Sequence, residues 1–276
     1  MRIAKDKTLN FLMLLCAAVT CLLLIGLIGY LLYRGIPGIN TKFLTTQTSY
    51  ISDSIGILPN ILNTLYLIVL VMIIVVPLGV GAAVYLTEYA SNKRISNAIG
   101  FAVETLTGIP SIIFGLVGML FFTQILGLRQ GILAGSLTLI IMVLPTVISN
   151  TKESLLAVPQ SYREGALALG SGKWHMVRTV VLPNAVDGIV TGCILAVGRV
   201  VGESAALLFT AGFGLKLLGF AKALQSSAAS LTVALYIYAS EEGKFDVAFA
   251  IAVILICITL IINLAASLVG KKVRKS

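Results

Sequence analysis

Long apolar blocks separated by short polar ones dominate the chain. Charge-free runs cover Thr8–Tyr33, Ser54–Thr87, Thr105–Leu128 and Gln130–Thr151. A fifth apolar run, Ala185–Thr210, is interrupted by charge, and a sixth, Val247–Gly270, is clean. About twenty apolar residues cross the hydrocarbon core as a helix. Lipid offers no partner to open backbone groups, so each run is expected to be an α-helix. The pattern predicts an all-α, polytopic membrane protein forming one domain over 1–276. Its six transmembrane spans should lie at about 9–33, 58–88, 104–127, 131–151, 184–211 and 246–270.

Composition agrees. The 276 residues are 58% hydrophobic and 11% charged, with a mean hydropathy of +1.02, whereas soluble domains are about 45–50% apolar and about 25% charged. A net charge of +9 would fit a nucleic-acid binder. In a membrane chain it belongs first to the cytoplasmic loops, so nucleic acid is not an expected partner. The run Thr8–Tyr33 is longer than a signal-peptide core and no A-x-A site follows it, which predicts a retained first span.

Orientation follows from Lys and Arg in alternating loops. One set holds Arg2, Lys5, Lys7, Lys93, Arg94, Lys152, Arg163, Lys173, Arg178, Lys271, Lys272, Arg274 and Lys275. The other holds only Arg34, Lys42, Arg129, Lys216, Lys222 and Lys244. The bias places both termini and the segment 152–183 in the cytoplasm.

Chemistry-bearing motifs are few. Cys16, Cys21, Cys193 and Cys257 sit in apolar runs without a C-x-x-C pair, and read as small buried residues. His175 alone cannot build a metal site. There is no phosphate-binding G-x-x-x-x-G-K-[ST] loop and no catalytic constellation. No enzyme activity and no cofactor are expected; if transport here uses ATP, another chain hydrolyses it.

The polar segment before the fifth span is patterned. Helix formers run from Gln160 to Leu169 after Pro159, Gly170 and Gly172 supply a stop, and Trp174–Met176 opens a second short helix ended by Pro183. It reads either as an amphipathic loop on the membrane surface or as a docking surface. The string Glu164-Gly165-Ala166, three residues, Gly170, and then Val180-Val181-Leu182-Pro183 resembles the signature loop of ABC importer permeases. The resemblance rests on Glu164, Ala166, Gly170, Leu182 and Pro183. Gly165 departs from the usual alanine and Val180 from the usual isoleucine. In that family the loop forms a coupling helix seated in a cleft of the ATPase subunit, which implies the same role for Glu164, Gly165, Ala166, Gly170, Leu182 and Pro183.

The fifth span carries Asp187, Arg199 and Glu203. Arg199 lies twelve residues beyond Asp187, about 18 Å along a helix, near mid-membrane. Arg199 and Glu203 at i, i+4 share a helix face and are expected to pair. Charges at that depth face a cavity or the bundle interior. The pair then either locks helices together or offers the arginine fork to an oxyanion. The series Gly188, Gly192, Ala196 and Gly198, Gly202, Ala206 predict close helix packing.

The string from Gly198 to Ala211, GRVVGESAALLFTA, resembles the matching helix of phosphate-specific permeases of the A-type, as does Gly108–Leu116, GIPSIIFGL, in the third span. Ala205-Ala206 departs from that family's Ala-Pro. Pro110 predicts a kink. The resemblance covers roughly 60–270. It implies a type I importer bundle forming half of a phosphate path, with Arg199 and Glu203 in that path. A homologous sibling permease, two cytoplasmic ATPase subunits, an extracytoplasmic phosphate-binding protein and bilayer lipid are the implied partners. The implied location is a bacterial or archaeal plasma membrane. Rival readings are a permease for sulfate, molybdate or phosphonate, a proton-coupled secondary carrier, and an uncoupled channel or scaffold. Outside the membrane, Leu231–Tyr238 predicts a short helix that either caps the path, meets a binding protein or packs on the bundle.

Overall fold

The computed structural model describes residues 2–49, 54–90 and 92–275. Five helical stretches are long and apolar enough to cross a membrane: Leu9–Gly38, Leu58–Tyr89, Ile132–Leu156, Lys173–Gly202 and Phe245–Leu268. A sixth crossing is available only if the pair Lys93–Thr107 and Ser111–Ile125, bent by 100°, is one span. The side chains of 2–8 and 271–275, which weigh in the charge count, lie outside the described residues.

Helix α1 covers Arg2–Gly35. The short helix α2 (Thr41–Thr45) is capped by the Asn40 side chain, which accepts from Phe43 N–H. An antiparallel hairpin of β1 (Gln47–Ser49) and β2 (Ser54–Ile57) follows, a small β element in a chain expected to be all-α. Helix α3 (Leu58–Val84) runs on through a π-helical turn, Tyr85–Tyr89. Where the hydropathy pattern gave one span over 104–127, the backbone forms α4 (Lys93–Thr107) and α5 (Ser111–Gly118). Pro110, with φ −58° and ψ 138°, cannot continue α4, so the kink expected there is a full break. Helix α6 covers Ile132–Leu156.

Helices α7 (Gln160–Ala168) and α8 (Lys173–Met176) form the polar segment. A π turn, Val177–Val181, then leads directly into α9 (Leu182–Gly202). Pro183 was expected to end the segment; it sits instead in the first turn of α9, where a missing N–H costs least. The expected fifth span, 184–211, is divided: α9 stops at Gly202 and α10 (Ala205–Thr210) restarts after an extended Glu203, φ −81° and ψ 122°. Beyond it lie α11 (Phe220–Ala223), α12 (Leu231–Tyr236) and α13 (Phe245–Lys275).

The main core gathers Leu67, Val71 and Val75 of α3, Leu139, Met142, Val143 and Val147 of α6, and Val197, Val200 and Val201 of α9, with Leu207 of α10. Between lipid-soaked helices such contacts hold by packing and close approach. Small residues supply the approach. A Cβ on Gly192 would lie 2.8 Å from Asn150 Cβ, and one on Gly79 would lie 2.7 Å from Val147 Cγ1. The series Gly188, Gly192, Ala196 therefore packs α9 on α6. Gly198 and Gly202 meet nothing within 4 Å, and only Ala206 of that series packs tightly, against Gly115.

A Cβ on Gly115 would lie 2.6 Å from Ala206 Cα, a backbone atom that cannot swing aside. Gly115→Leu is therefore expected to cost at least about 1–3 kcal/mol, the usual range for overpacking. Thermal unfolding in detergent should show a clear drop, and Gly198→Ala, which fills open space, should show none.

The expectation that the cysteines are buried is corrected. Cys16, Cys21 and Cys257 are exposed on the apolar outer surface and Cys193 is half-buried, all as free thiols. Burial statistics come from proteins in water, whereas in lipid an outward thiol meets hydrocarbon. No metal-competent cluster occurs among the described residues.

The apolar loop after α10 is packed on the bundle. The Ser227 hydroxyl accepts from Phe213 and Gly214 N–H, and Asn60 and Asn63 of α3 both donate to the Ala229 carbonyl at 3.0 and 3.1 Å. Leu231, Val233, Ala234 and Tyr238 are buried. The short helix expected there is α12, and it lies against the core.

Candidate functional site

Arg199 lies one turn before the end of α9, half-buried, and its Nη1 donates to Thr146 Oγ1 of α6 at 3.2 Å. Pro145 precedes Thr146 and lacks an N–H, so the Ile141 carbonyl has no helical donor beside this contact. The expected pair with Glu203 is not made. Among the described residues no carboxylate forms an ion pair with Arg199.

The reason is the break at Glu203. Its extended backbone takes the side chain off the α9 face, and the buried carboxylate turns forward to accept from Ala206 N–H at 3.0 Å. It thereby satisfies an orphan donor at the start of α10. Its own carbonyl accepts from Thr232 Oγ1 at 2.7 Å, tying the break to α12. Glu203 is thus held as a helix cap, and Arg199 is left with donors to spare. An arginine has five N–H groups in a planar fork, and one is engaged with Thr146.

The polar segment forms a separate cluster at one end of the bundle. Gly170, with φ +82°, closes α7: its N–H donates to the Leu167 carbonyl at 3.0 Å and that of Ser171 to Ala166 at 3.1 Å. This pair of hydrogen bonds is the Schellman closure, which needs positive φ at the residue after the helix and so favours glycine, and it gives Gly170 of the signature a structural reason. Gly165 has open space around its Cβ direction, so the alanine usual at that place would fit. Glu164 is exposed and makes no ion pair among the described residues. Leu169 is 90% exposed and Trp174 61%, and Tyr162 and Leu167 are exposed beside them. Ala166 and Leu182 pack against an inner cluster of Val84, Leu155, Val158, Met176, Val177 and Val181, while Pro183 is exposed.

Two charged residues that hydropathy counting passed over are placed together here. Arg163 Nε and Nη2 donate to Glu88 Oε1 at 3.0 and 2.9 Å, with both side chains almost wholly buried. Nη1 donates to the Val158 carbonyl at 2.7 Å and Nη2 to that of Leu155 at 2.8 Å. Seventy-five residues separate the pair, so no local spacing announces it. Thr146 was missed for the same reason.

Over 98% of its length the chain is 36% identical to a probable ABC transporter permease, YqgI, of Bacillus subtilis (strain 168), covering 96% of that protein. Over 66% of its length it is 35% identical to the phosphate transport system permease protein PstA of Xylella fastidiosa (strain Temecula1 / ATCC 700964), covering 63% of it. Its fold matches a chain in the crystal structure of a bacterial alginate ABC transporter, with a TM-score of 0.69 at 18% identity and 99% and 97% of the two chains covered. The sequence matches the family described as binding-protein-dependent transport system inner membrane component over residues 75–275. That match takes in the inner cluster, the break between α9 and α10 and both charged groups, and the chain belongs to that family, as a membrane-spanning permease of an ABC importer.

Proposed function

We propose that this chain is the A-type permease of an ATP-driven phosphate importer, forming half of the translocation path. The observation that carries the reading is Arg199: a half-buried guanidinium in the last turn of α9 that donates to Thr146 and, among the described residues, has no carboxylate partner. Such a group suits a tetrahedral oxyanion, which accepts bidentate, charge-assisted hydrogen bonds. A half-buried cation in an isolated chain also needs a second wall, which a homologous sibling permease supplies. The likeness to PstA supports phosphate over other oxyanions.

In this reading both termini and the 152–183 segment are cytoplasmic. Of two ATPase subunits, one docks on the exposed face of α7 and α8 through Glu164, Gly165, Ala166 and the Gly170 turn, with Leu182 and Pro183 setting the exit into α9, and the other docks on the sibling permease. An extracytoplasmic binding protein delivers phosphate at the opposite end. ATP binding biases two states of the bundle through these contacts.

The test is labelled-phosphate uptake at micromolar concentration in cells lacking the chain and in cells with it restored, with sulfate and molybdate in parallel. Restoration of phosphate uptake alone is expected. Restoration of sulfate or molybdate uptake instead would keep the permease and discard the substrate.

A further inference from the structure

The nine residues of α7 bury one side chain, and it is Arg163. A short helix on a protein surface is commonly attached by an apolar stripe. Here apolar attachment is limited to Ala166 at the edge of the inner cluster, and Leu167 and Leu169 point away from the bundle. What fixes α7 is a cation with three anchors. One is Glu88, in the π turn that ends α3. The other two are the carbonyls of Leu155 and Val158, at and just beyond the last turn of α6. The last carbonyls of a helix lack the usual i+4 donors and carry the negative end of the dipole; among the described residues that of Leu155 has only the turn N–H groups of Ala157 and Val158 besides Arg163. A guanidinium satisfies two of them and a carboxylate together because its fork is planar and rigid.

We infer that Arg163, held by Glu88, is the joint that transmits movement of α7 to the spans, a positioning residue for coupling between ATP hydrolysis and transport. The inference rests on the reading of α7 as the ATPase contact. Directional, buried hydrogen bonds resist sliding in a way that an apolar contact does not, so displacement of α7 moves α3 and α6 with it. Helix α6 then carries the displacement inward: Thr146, which holds Arg199, lies nine residues from Leu155, about 14 Å along the helix. The joint and the proposed anion site therefore share one rigid element.

The experiment uses the complete transporter in proteoliposomes, with inorganic phosphate as probe and with Arg163→Lys and Glu88→Gln variants of this chain. Lysine keeps the charge but loses the fork; glutamine keeps an acceptor but loses the charge. Both complexes are expected to retain their ATPase subunits while phosphate imported per ATP hydrolysed falls at least tenfold. Unchanged import per ATP in both variants would overturn the joint. So would loss of the ATPase subunits from either complex, which would make the pair a folding contact for the docking face.

A second measurement does not depend on the variants folding. Spin labels at Tyr85 and Ser161, both exposed, should keep one narrow distance in the wild-type background with and without ATP. A distance that shifts on ATP binding would show that α7 slides on α3 and would refute the joint. A wild-type chain that retains no ATPase subunits strikes first at the docking reading, and takes the coupling role of Arg163 with it.

Discussion

Arg199→Ala is expected to abolish phosphate uptake while the transporter still assembles. The only hydrogen bond the substitution removes within the described chain is the one to Thr146, a surface-deep loss for the bundle because Ala196, Val197, Val200 and Val201 carry the α9 packing. The loss to the anion is larger. Hydrogen bonds to charged groups contribute about 1.5–3 kcal/mol each, and two of them lost from a bidentate contact lower affinity at least about a hundredfold, at about 1.4 kcal/mol per decade. Uptake at micromolar phosphate should fall to background, with the subunits still co-purifying. Arg199→Lys should recover little, because a point charge does not replace a fork. Near-full recovery in the lysine variant would mean that charge alone serves. Loss of assembly in the alanine variant would make Arg199 a structural residue.

Glu164→Lys is expected to abolish transport and release the ATPase subunits, while the chain inserts normally. Glu164 is exposed and makes no ion pair among the described residues, so its replacement breaks none of the described contacts. If it meets a cation in the ATPase cleft, truncating one partner of such a pair typically costs 2–5 kcal/mol or about thirtyfold and more in affinity, and reversing the sign adds repulsion. A pull-down of the ATPase subunits checks this directly. Normal association would remove Glu164 from the docking surface, and unchanged transport would favour an uncoupled channel.

Much of the fold was legible because lipid imposes a simple code. Long charge-free runs announce helices whatever their packing, and α3, α6 and α13 follow from length alone. The breaks were harder to see. At Pro110 a kink was readable, but the amphipathic α4 before it is only moderately apolar and hydropathy passes over it. At Glu203 the only mark is Gly202 just before it, and glycines recur along α9 without breaking it, at Gly188, Gly192 and Gly198. An i, i+4 spacing for Arg199 and Glu203 presumes an unbroken helix, and one extended residue undoes it. Pairings across the fold, Arg163 with Glu88 and Arg199 with Thr146, depend on which helices become neighbours, and no local spacing in one chain encodes that. The Gly170 turn, by contrast, was readable because glycine's freedom at positive φ is a local property.

The first helix shows another side of the same architecture. From Leu9 to Gly35 none of its residues enters the four core clusters, and its spanning window has no buried residue. The contacts that fasten it gather in its final turns. Tyr30 meets Phe249 edge-on at 5.6 Å, Arg34 reaches Asp246 at 3.5 Å, and Gly35 presses on the α13 backbone at Phe249. Mechanically it is a cantilever, clamped at one tip and bare along its shaft. A bilayer that thickens or thins can be met by leaning this shaft about Gly35, with no void opened in the core. Within this chain, such a lean leaves the packing of α3, α6 and α9 untouched.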